Sequence, residues 1–282
     1  MPRISAIVAT RDRPEWAREA VASIAAQTYP PMEIIVADDG DGRTGTQLAA
    51  EFDATAIHTQ GVGPARARHA AIERAGGDWL AFCDDDDTWH PERLARQVEI
   101  IEAATALVYS DAQRSDGHLE FTHRNPSAGR VFGSLLLDNW IPTSTVLLRR
   151  EVYDRAGGFD DRYVPAEDYA LWLAVSRLGR FARVDEPLAT YRIHEAQLQS
   201  DRAAMAKATA DVVEDALRHI GWRAQQIPNL AMRLRQLRFM QGRALAAQSD
   251  YAAARKAYAQ AWAHQRAYLK APIFFALSYF RM

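Results

Sequence analysis

The sequence predicts an α/β fold: a mainly parallel, mixed sheet flanked by helices, followed by an α-helical C-terminal extension. Three observations predict it. The first half alternates short apolar runs with segments of helical spacing, the βαβα order that builds a parallel sheet. Polar clusters stand directly behind three of the apolar runs, where ligands gather at the carboxyl ends of such strands. From about residue 200 onward the chain is alanine-rich, poor in Gly and Pro, and helical in pattern.

Each element follows in order. Residues 4–9 (ISAIVA) form a short apolar strand. Residues 14–27 have helical spacing, with Trp16, Ala20, Ile24 and Gln27 along one side and Pro14 near the start. Residues 33–37 (EIIVA) are a second strand ending at Asp38-Asp39-Gly40; 44–52 read as helix and 54–58 as a short strand. Residues 64–75 are a helix, and 78–83 are the strand that runs into Asp84-Asp85-Asp86-Asp87. A helix over 91–103 and a strand over 106–110 complete the alternation. Residues 143–148 (TSTVLL) read as a further strand, 157–160 (GGFD) as a turn, and 166–176 as a helix with acids in its first turn, where the helix dipole favours them. Helices are expected over 203–219, 229–247 and 251–267; Gly242, Tyr251, Ala254, Tyr258 and Ala261 resemble one tetratricopeptide hairpin. Residues 271–282 (APIFFALSYFRM) form an aromatic tail.

Composition sets bounds. With 282 residues, 48% hydrophobic and 25% charged, the chain has the make-up of a soluble globular protein. The single cysteine, Cys83, excludes an internal disulfide framework and fits a reducing compartment; it lies in an apolar run and reads as a packed thiol. Met1-Pro2-Arg3 leads straight into a strand, so no signal peptide is expected, and no apolar stretch is long enough to span a bilayer. The net charge of −2 hides an asymmetry: residues 200–282 hold 13 Lys and Arg against 5 Asp and Glu, and the rest is acidic.

The stretch WLAFCDDDDTW carries the strongest chemical signal. Two like charges about 5 Å apart repel by roughly 3 kcal/mol at an effective dielectric near 20. Something must offset that, and a bound cation is the simplest candidate; a solvated acidic loop is the alternative. On an extended chain side chains alternate, so Asp84 and Asp86 would share one side, Asp85 and Asp87 the other.

The motifs ISAIVATRDRP, EIIVADDG, GPARARHAAIERAGGDWLAFCDDDDTWHPERL, GGFD, AEDYALW and YRIHEAQLQS occur in this order over roughly residues 3–200. Together they resemble a family 2 glycosyltransferase of the GT-A fold, Rossmann-like and inverting. The resemblance implies a GT-A catalytic domain over 1–200, with a nucleotide-binding half (1–110) and an acceptor half (111–200), and an extension over 201–282. It implies transfer of a sugar from a nucleotide-diphosphate donor, with a UDP-sugar ahead of dTDP- and GDP-sugars, to a hydroxyl of a glycan or lipid-linked acceptor. A divalent cation, Mn2+ or Mg2+, would assist.

The same resemblance assigns residues. Asp86 would bind the metal, and Asp84 would lie by the donor ribose or the metal's water shell. Four consecutive aspartates leave the register open by one, so Asp85 is an alternative to Asp84. Asp39, then Asp38, would accept a base N–H; a turn aspartate capping the next helix is the alternative. Thr10 and Arg13 would line the pocket, and Arg68 would face the nucleotide. His69 departs from the family's usual Asn. Asp168 would be the general base, with Glu167, about 100° away around the helix, the alternative carboxylate on the acceptor side. His194 would approach the diphosphate and metal, or serve as a structural histidine. Arg192 would contact phosphate or pair with Asp185 or Glu186. Among Trp89, Trp140 and Trp172, Trp140 is the acceptor-platform candidate and Trp172 a core residue.

The same residues argue against other classes. A nucleotidyltransferase would carry a glycine-rich loop after the first strand, and ATRDRP has no glycine. A dinucleotide oxidoreductase would need Gly-x-Gly-x-x-Gly after a strand. A non-catalytic nucleotide-binding adaptor would be expected to lack Asp168 or the Asp-x-Asp pair. The basic helices read as a surface for anionic lipid, a homodimer contact or a cap on the domain; interleaved Ala and Gln argue against nucleic acid. The expected setting is the cytoplasm, with peripheral contact at the inner face of the membrane.

Overall fold

The structure is a computed structural model and describes residues 1–115, 120–123, 128–194, 201–219, 227 and 229–264. The aromatic tail over 271–282, the EAQLQS of the last motif and the end of the third expected C-terminal helix lie outside the described residues.

In chain order the elements are β1 (Ile4–Thr10), α1 (Pro14–Ala25), β2 (Glu33–Asp38), α2 (Arg43–Phe52), β3 (Thr55–His58), α3 (Pro64–Arg74), β4 (Trp79–Asp84), β5 (Thr88–Trp89) and α4 (Arg93–Glu99). They continue with β6 (Thr105–Ser115), β7 (Glu120–His123), α5 (Phe132–Leu135), β8 (Leu147–Arg149), α6 (Arg150–Ala156), α7 (Glu167–Ser176) and β9 (Arg180–Arg192). Three helices follow: α8 (Arg202–Arg218), α9 (Leu230–Ala247) and α10 (Tyr251–His264).

The chain divides into two compact units. The first comprises Met1–Phe132, Trp140–Asp161 and Leu171–His194; the second comprises Gly133–Asn139, Arg162–Ala170 and Glu195–Met282.

The first unit is built on one sheet of order β3-β2-β1-β4-β8-β6-β9-β5, with β7 paired to β6. β3, β2, β1 and β4 are parallel neighbours. β8 runs antiparallel to both β4 and β6, so the sheet is mixed in its second half. Ile4, Ala6, Ile7 and Val8 of β1 are all buried, as expected of a central parallel strand covered on both faces. α1 begins with Pro at its first position and buries Ala17, Ala20, Val21 and Ile24, an i, i+3, i+4, i+7 stripe. Trp16, placed on that stripe by the sequence pattern, lies half-buried at its edge. The chain leaves β1 on one side for β2 and β3, then returns to the other side for β4. That makes the carboxyl ends of β1 and β4 a topological switch point.

Three expectations are corrected. Residues 143–148 are not one strand: Thr143–Thr145 make a 3-10 turn, with strand β8 beginning at Leu147. α4 is shorter than 91–103, because Pro91 and Glu92 belong to a turn in which Arg93 N–H bonds the His90 carbonyl. β6 is longer than 106–110 and pairs with β9, a strand of 13 residues that the pattern hid. Asp185-Glu186-Pro187 interrupts its alternation, and the register shifts beside Asp111 accommodate the proline, which has no N–H to give a ladder.

In the second unit α8 is capped by Asp201, whose carboxylate accepts the Ala203 and Ala204 N–H groups. α9 is tied to α8 by Arg238, which is 3% exposed and bonds Asp211 at 2.6 Å and Glu214 at 2.8 Å. Part of the basic character is therefore internal. Gly242 gives Tyr258 its place: a Cβ there would stand 2.5 Å from the ring. No helix among the described residues is long and apolar enough to cross a membrane.

Candidate active site

The site grows from the end of β4. Asp84 is its last residue, Asp85 and Asp86 form a turn, and Asp87 N–H bonds the Asp84 carbonyl at 3.1 Å. The turn cancels the strand alternation expected over 84–87. Asp84, Asp86 and Asp87 instead converge, each offering a carboxylate oxygen within 4.8 Å of the others. Asp85 points elsewhere: its oxygens accept Thr10 Oγ1 at 2.8 Å and Arg13 Nη1 at 3.0 Å.

The repulsion has an internal answer. Arg13 Nη1 also lies 3.0 Å from Asp86 Oδ2, Arg68 Nη2 donates to Asp84 Oδ1 at 2.6 Å, and His194 Nε2 lies 2.9 Å from Asp86 Oδ2. The His194 ring rests 4.5 Å from that of Trp16, and the Arg13 and Arg192 guanidinium groups also flank the same indole. Thr10, Arg13, Arg68, Asp84, Asp85, Asp86 and His194 are thus brought together.

Burial and repulsion remain visible in the acidities. Burial first, then the charge of Asp86, raises the Asp85 carboxyl despite Thr10 and Arg13. Asp87 is raised well above the ordinary carboxylate value, by burial and then by Asp84 and Asp86. Ser144 Oγ donates to Asp87 Oδ2 at 2.6 Å, and Arg192 N–H donates to Asp87 Oδ1 at 3.0 Å.

The second acidic strand end differs. Asp38 accepts Gly40 N–H and Gly45 N–H at 2.9 and 2.8 Å, and so holds the start of α2. Asp39 accepts Thr59 Oγ1 at 2.7 Å, Val62 N–H at 2.8 Å and Gly63 N–H at 2.9 Å. Burial works to raise the Asp39 carboxyl, but the bonds from Thr59, Gly63, Val62 and Gly61 outweigh it, so it lies below the ordinary value. Both carboxylates are therefore engaged in building the loops that follow β2 and β3. The helix-holding role considered for Asp39 falls to Asp38.

Other expected residues sort as follows. Arg192 pairs with Glu19 at 2.5 Å, not with Asp185 or Glu186; Asp185 pairs with Arg183. His69 meets the Tyr153 hydroxyl at 3.0 Å. Trp172 is fully buried against Phe82 and Phe159, as a core residue. Trp140, the acceptor-platform candidate, is 6% exposed. Glu167 is also buried, while Asp168 is half-buried with Oδ1 accepting the Tyr169 N–H. Both belong to the second unit, where Tyr169 Oη anchors the same turn to the Leu135 carbonyl. Sequence reasoning missed Ser144 and Trp16 as neighbours of the acidic turn. Ser144 lay inside an apparent strand; Pro142 before three hydroxyl residues was the available sign of a turn.

With this geometry in place, the comparisons are specific. The family model for glycosyl transferase family 2 matches residues 5–157. The putative teichuronic acid biosynthesis glycosyltransferase TuaG of Bacillus subtilis is 29% identical over 220 residues, covering 74% of this chain and 86% of that protein. The UDP-Glc:α-D-GlcNAc-diphosphoundecaprenol β-1,3-glucosyltransferase WfaP of Escherichia coli is 27% identical over 210 residues, covering 72% of this chain and 82% of its own. An uncharacterized glycosyltransferase of Rickettsia conorii is 26% identical over 199 residues, and this chain's match spans only 33% of its length. Among solved structures, the mannosyltransferase PcManGT of Pyrobaculum calidifontis, in complex with GDP-Man and Mn2+, aligns with a TM-score of 0.64 at 20% identity. That alignment covers 99% of this chain and 80% of PcManGT. S. aureus TarS 1-349 in complex with UDP-GlcNAc gives 0.64 at 15% identity, covering 98% and 89%. At these identities the structural likeness is one of fold.

Proposed function

Because the chain belongs to glycosyl transferase family 2, we propose that it transfers a sugar, with inversion, from a UDP-sugar to a hydroxyl of a glycan or lipid-linked acceptor. The observation that carries this reading is the acidic turn at the switch point, flanked by Arg13, Arg68 and His194. Three convergent carboxylates suit a hard divalent cation such as Mn2+ or Mg2+, which prefers oxygen ligands. Asp86 and Asp84 would hold it, and when bound it would stabilise the charge that develops on the departing diphosphate.

The chain's own groups do the rest. Arg13 and Arg68 now neutralise carboxylates and His194 bonds Asp86; with donor bound the three would face its diphosphate and exchange some of those contacts for phosphate oxygens. Asp39 fixes the 59–63 loop that bounds the nucleotide side, beside Thr10 and Asp38. Asp168 removes the acceptor hydroxyl's proton while that oxygen bonds the anomeric carbon and the bond to the nucleoside diphosphate breaks. Inversion follows from one displacement and needs no protein nucleophile.

The names of WfaP and TuaG support an acceptor in envelope glycan assembly. Met240 and Trp262, 55% and 48% exposed on α9 and α10, support contact of the second unit with a membrane surface. Calorimetry of a nucleotide panel with and without Mn2+, on wild type and Asp86→Ala, tests the reading. UDP binding that requires Mn2+ and Asp86 supports it. Preference for dTDP or GDP changes the donor only, and a folded protein that binds no nucleoside diphosphate refutes it.

A further inference from the structure

We propose that Ser144 and Asp87 are positioning residues that lock the acidic turn to the end of β9, holding Asp84 and His194 in place for the cation and the diphosphate. The inference rests on the reading of the site just given.

The connections form one chain. Ser144 Oγ accepts the Asp84 N–H at 2.9 Å and donates to Asp87 Oδ2 at 2.6 Å. The other oxygen of Asp87 accepts the Arg192 N–H at 3.0 Å. Two residues further on, His194 Nε2 reaches Asp86 Oδ2 at 2.9 Å. Ser144 and Asp87 are each 1% exposed, so these bonds are made away from water. A carboxylate held beside Asp84 and Asp86 in such a place must be kept by donors. Each Asp87 oxygen has one, and each donor belongs to a different segment.

The 142–146 segment is itself braced from below. Arg93 and Gln97 of α4, both fully buried, donate to the carbonyls of Val146 at 2.8 Å and Thr145 at 2.7 Å. The Arg93 guanidinium lies 3.9 Å from the Trp89 ring, and Thr145 Oγ1 closes the turn on the Pro142 carbonyl at 2.8 Å. Ser144 is thereby held within bonding distance of the Asp84 amide. Asp87 belongs with the acidic cluster by distance, but both its oxygens bind protein donors; its task is to tie β4 to β9.

The test uses Mn2+ alone as the probe. Binding is measured by calorimetry on wild type, Ser144→Ala, Ser144→Thr, Asp87→Asn and Asp86→Asn. Amide hydrogen exchange at Asp84 and Arg192 is followed in parallel. Removing a group that orients a metal ligand typically weakens affinity about 10- to 100-fold. Ser144→Ala is expected to bind Mn2+ about tenfold or more weakly and to exchange faster at both amides. Ser144→Thr, which keeps the hydroxyl, restores both. Asp87→Asn, whose amide oxygen still accepts from Arg192, keeps most of the Mn2+ affinity that Asp86→Asn loses. Wild-type affinity and exchange in Ser144→Ala would overturn the inference. Loss in Asp87→Asn as complete as in Asp86→Asn would make Asp87 a ligand and overturn its positioning role. If wild type binds no Mn2+, the metal reading fails separately. The relay then survives only if Ser144→Ala still opens the Arg192 amide.

Discussion

Two neighbouring strand ends carry aspartates, and they are built in opposite ways. At the end of β2, Asp38 and Asp39 are surrounded by N–H and hydroxyl donors. At the end of β4, three carboxylates face one another and are held by arginines, a histidine and a serine. The first arrangement stabilises ionised carboxylates, and Asp39 lies below the ordinary value. The second is poised against itself, and Asp85 and Asp87 lie above it. Fully paired carboxylates build a fold. Crowded ones are the arrangement that a cation would relieve.

The sharpest way to break the contrast is to remove one acid from each end. Asp86→Ala should lower transferase activity by a factor on the order of 10³, the loss of several kcal/mol of charge stabilisation. Its melting temperature without metal should stay near that of wild type, because a repelled charge has gone. Asp39→Ala should do the reverse to stability. It leaves the Thr59 hydroxyl and two backbone N–H groups without their acceptor, at a cost of about 3 kcal/mol in all. Denaturant unfolding of the two variants, beside their activities, checks both. Equal destabilisation would erase the distinction between the two ends.

A smaller effect sharpens it. Arg13 bridges Asp85 and Asp86 while 28% of its side chain remains exposed. Arg13→Ala should therefore cost only about 1 kcal/mol of stability. It should weaken nucleoside-diphosphate binding measured by calorimetry more than Mn2+ binding. The opposite order of losses would move Arg13 from the donor site to a purely structural role.

Most of the first unit was legible because the code there is local. Apolar runs, Pro14 at a helix start and polar clusters behind strands all act within a few residues. The convergence of Asp84, Asp86 and Asp87 was not, because a turn at Asp85 and Asp86 replaces the extended chain that alternation assumes. Ser144 was hidden for a different reason. It acts across 60 residues of sequence on the Asp84 amide, and no local pattern encodes such a bond. β9 was masked by a proline that its partner strand absorbs with register shifts. The burial of Trp140 was not legible beside Asn139 and Pro142, because burial is decided by what packs over a ring.

The smallest and most diagnostic effect is in pH. A carboxyl raised in the folded state binds its proton more tightly there than in the unfolded chain. The contribution of Asp85 and Asp87 is therefore fully present below their unfolded pKa and is lost as pH rises through the raised folded value. Asp39 behaves in the opposite sense: its contribution is present above its unfolded pKa and is lost as pH falls through the lowered folded value. Without metal, the acidic turn should thus become more favourable as pH drops below neutrality, until Asp39 and other paired acids begin to protonate. Mn2+ held by Asp84 and Asp86 should reverse the first trend, since a cation beside Asp85 and Asp87 offsets the like charges that favour their protonation. Thermal melts from pH 7 to pH 5 should show a Mn2+-induced rise that shrinks as pH falls. Asp87→Asn should flatten the metal-free gain, and Asp39→Asn should leave it intact. A Mn2+ effect independent of pH would mean that the ion binds elsewhere, and that the crowding at the end of β4 is answered by Arg13, Arg68 and His194 alone.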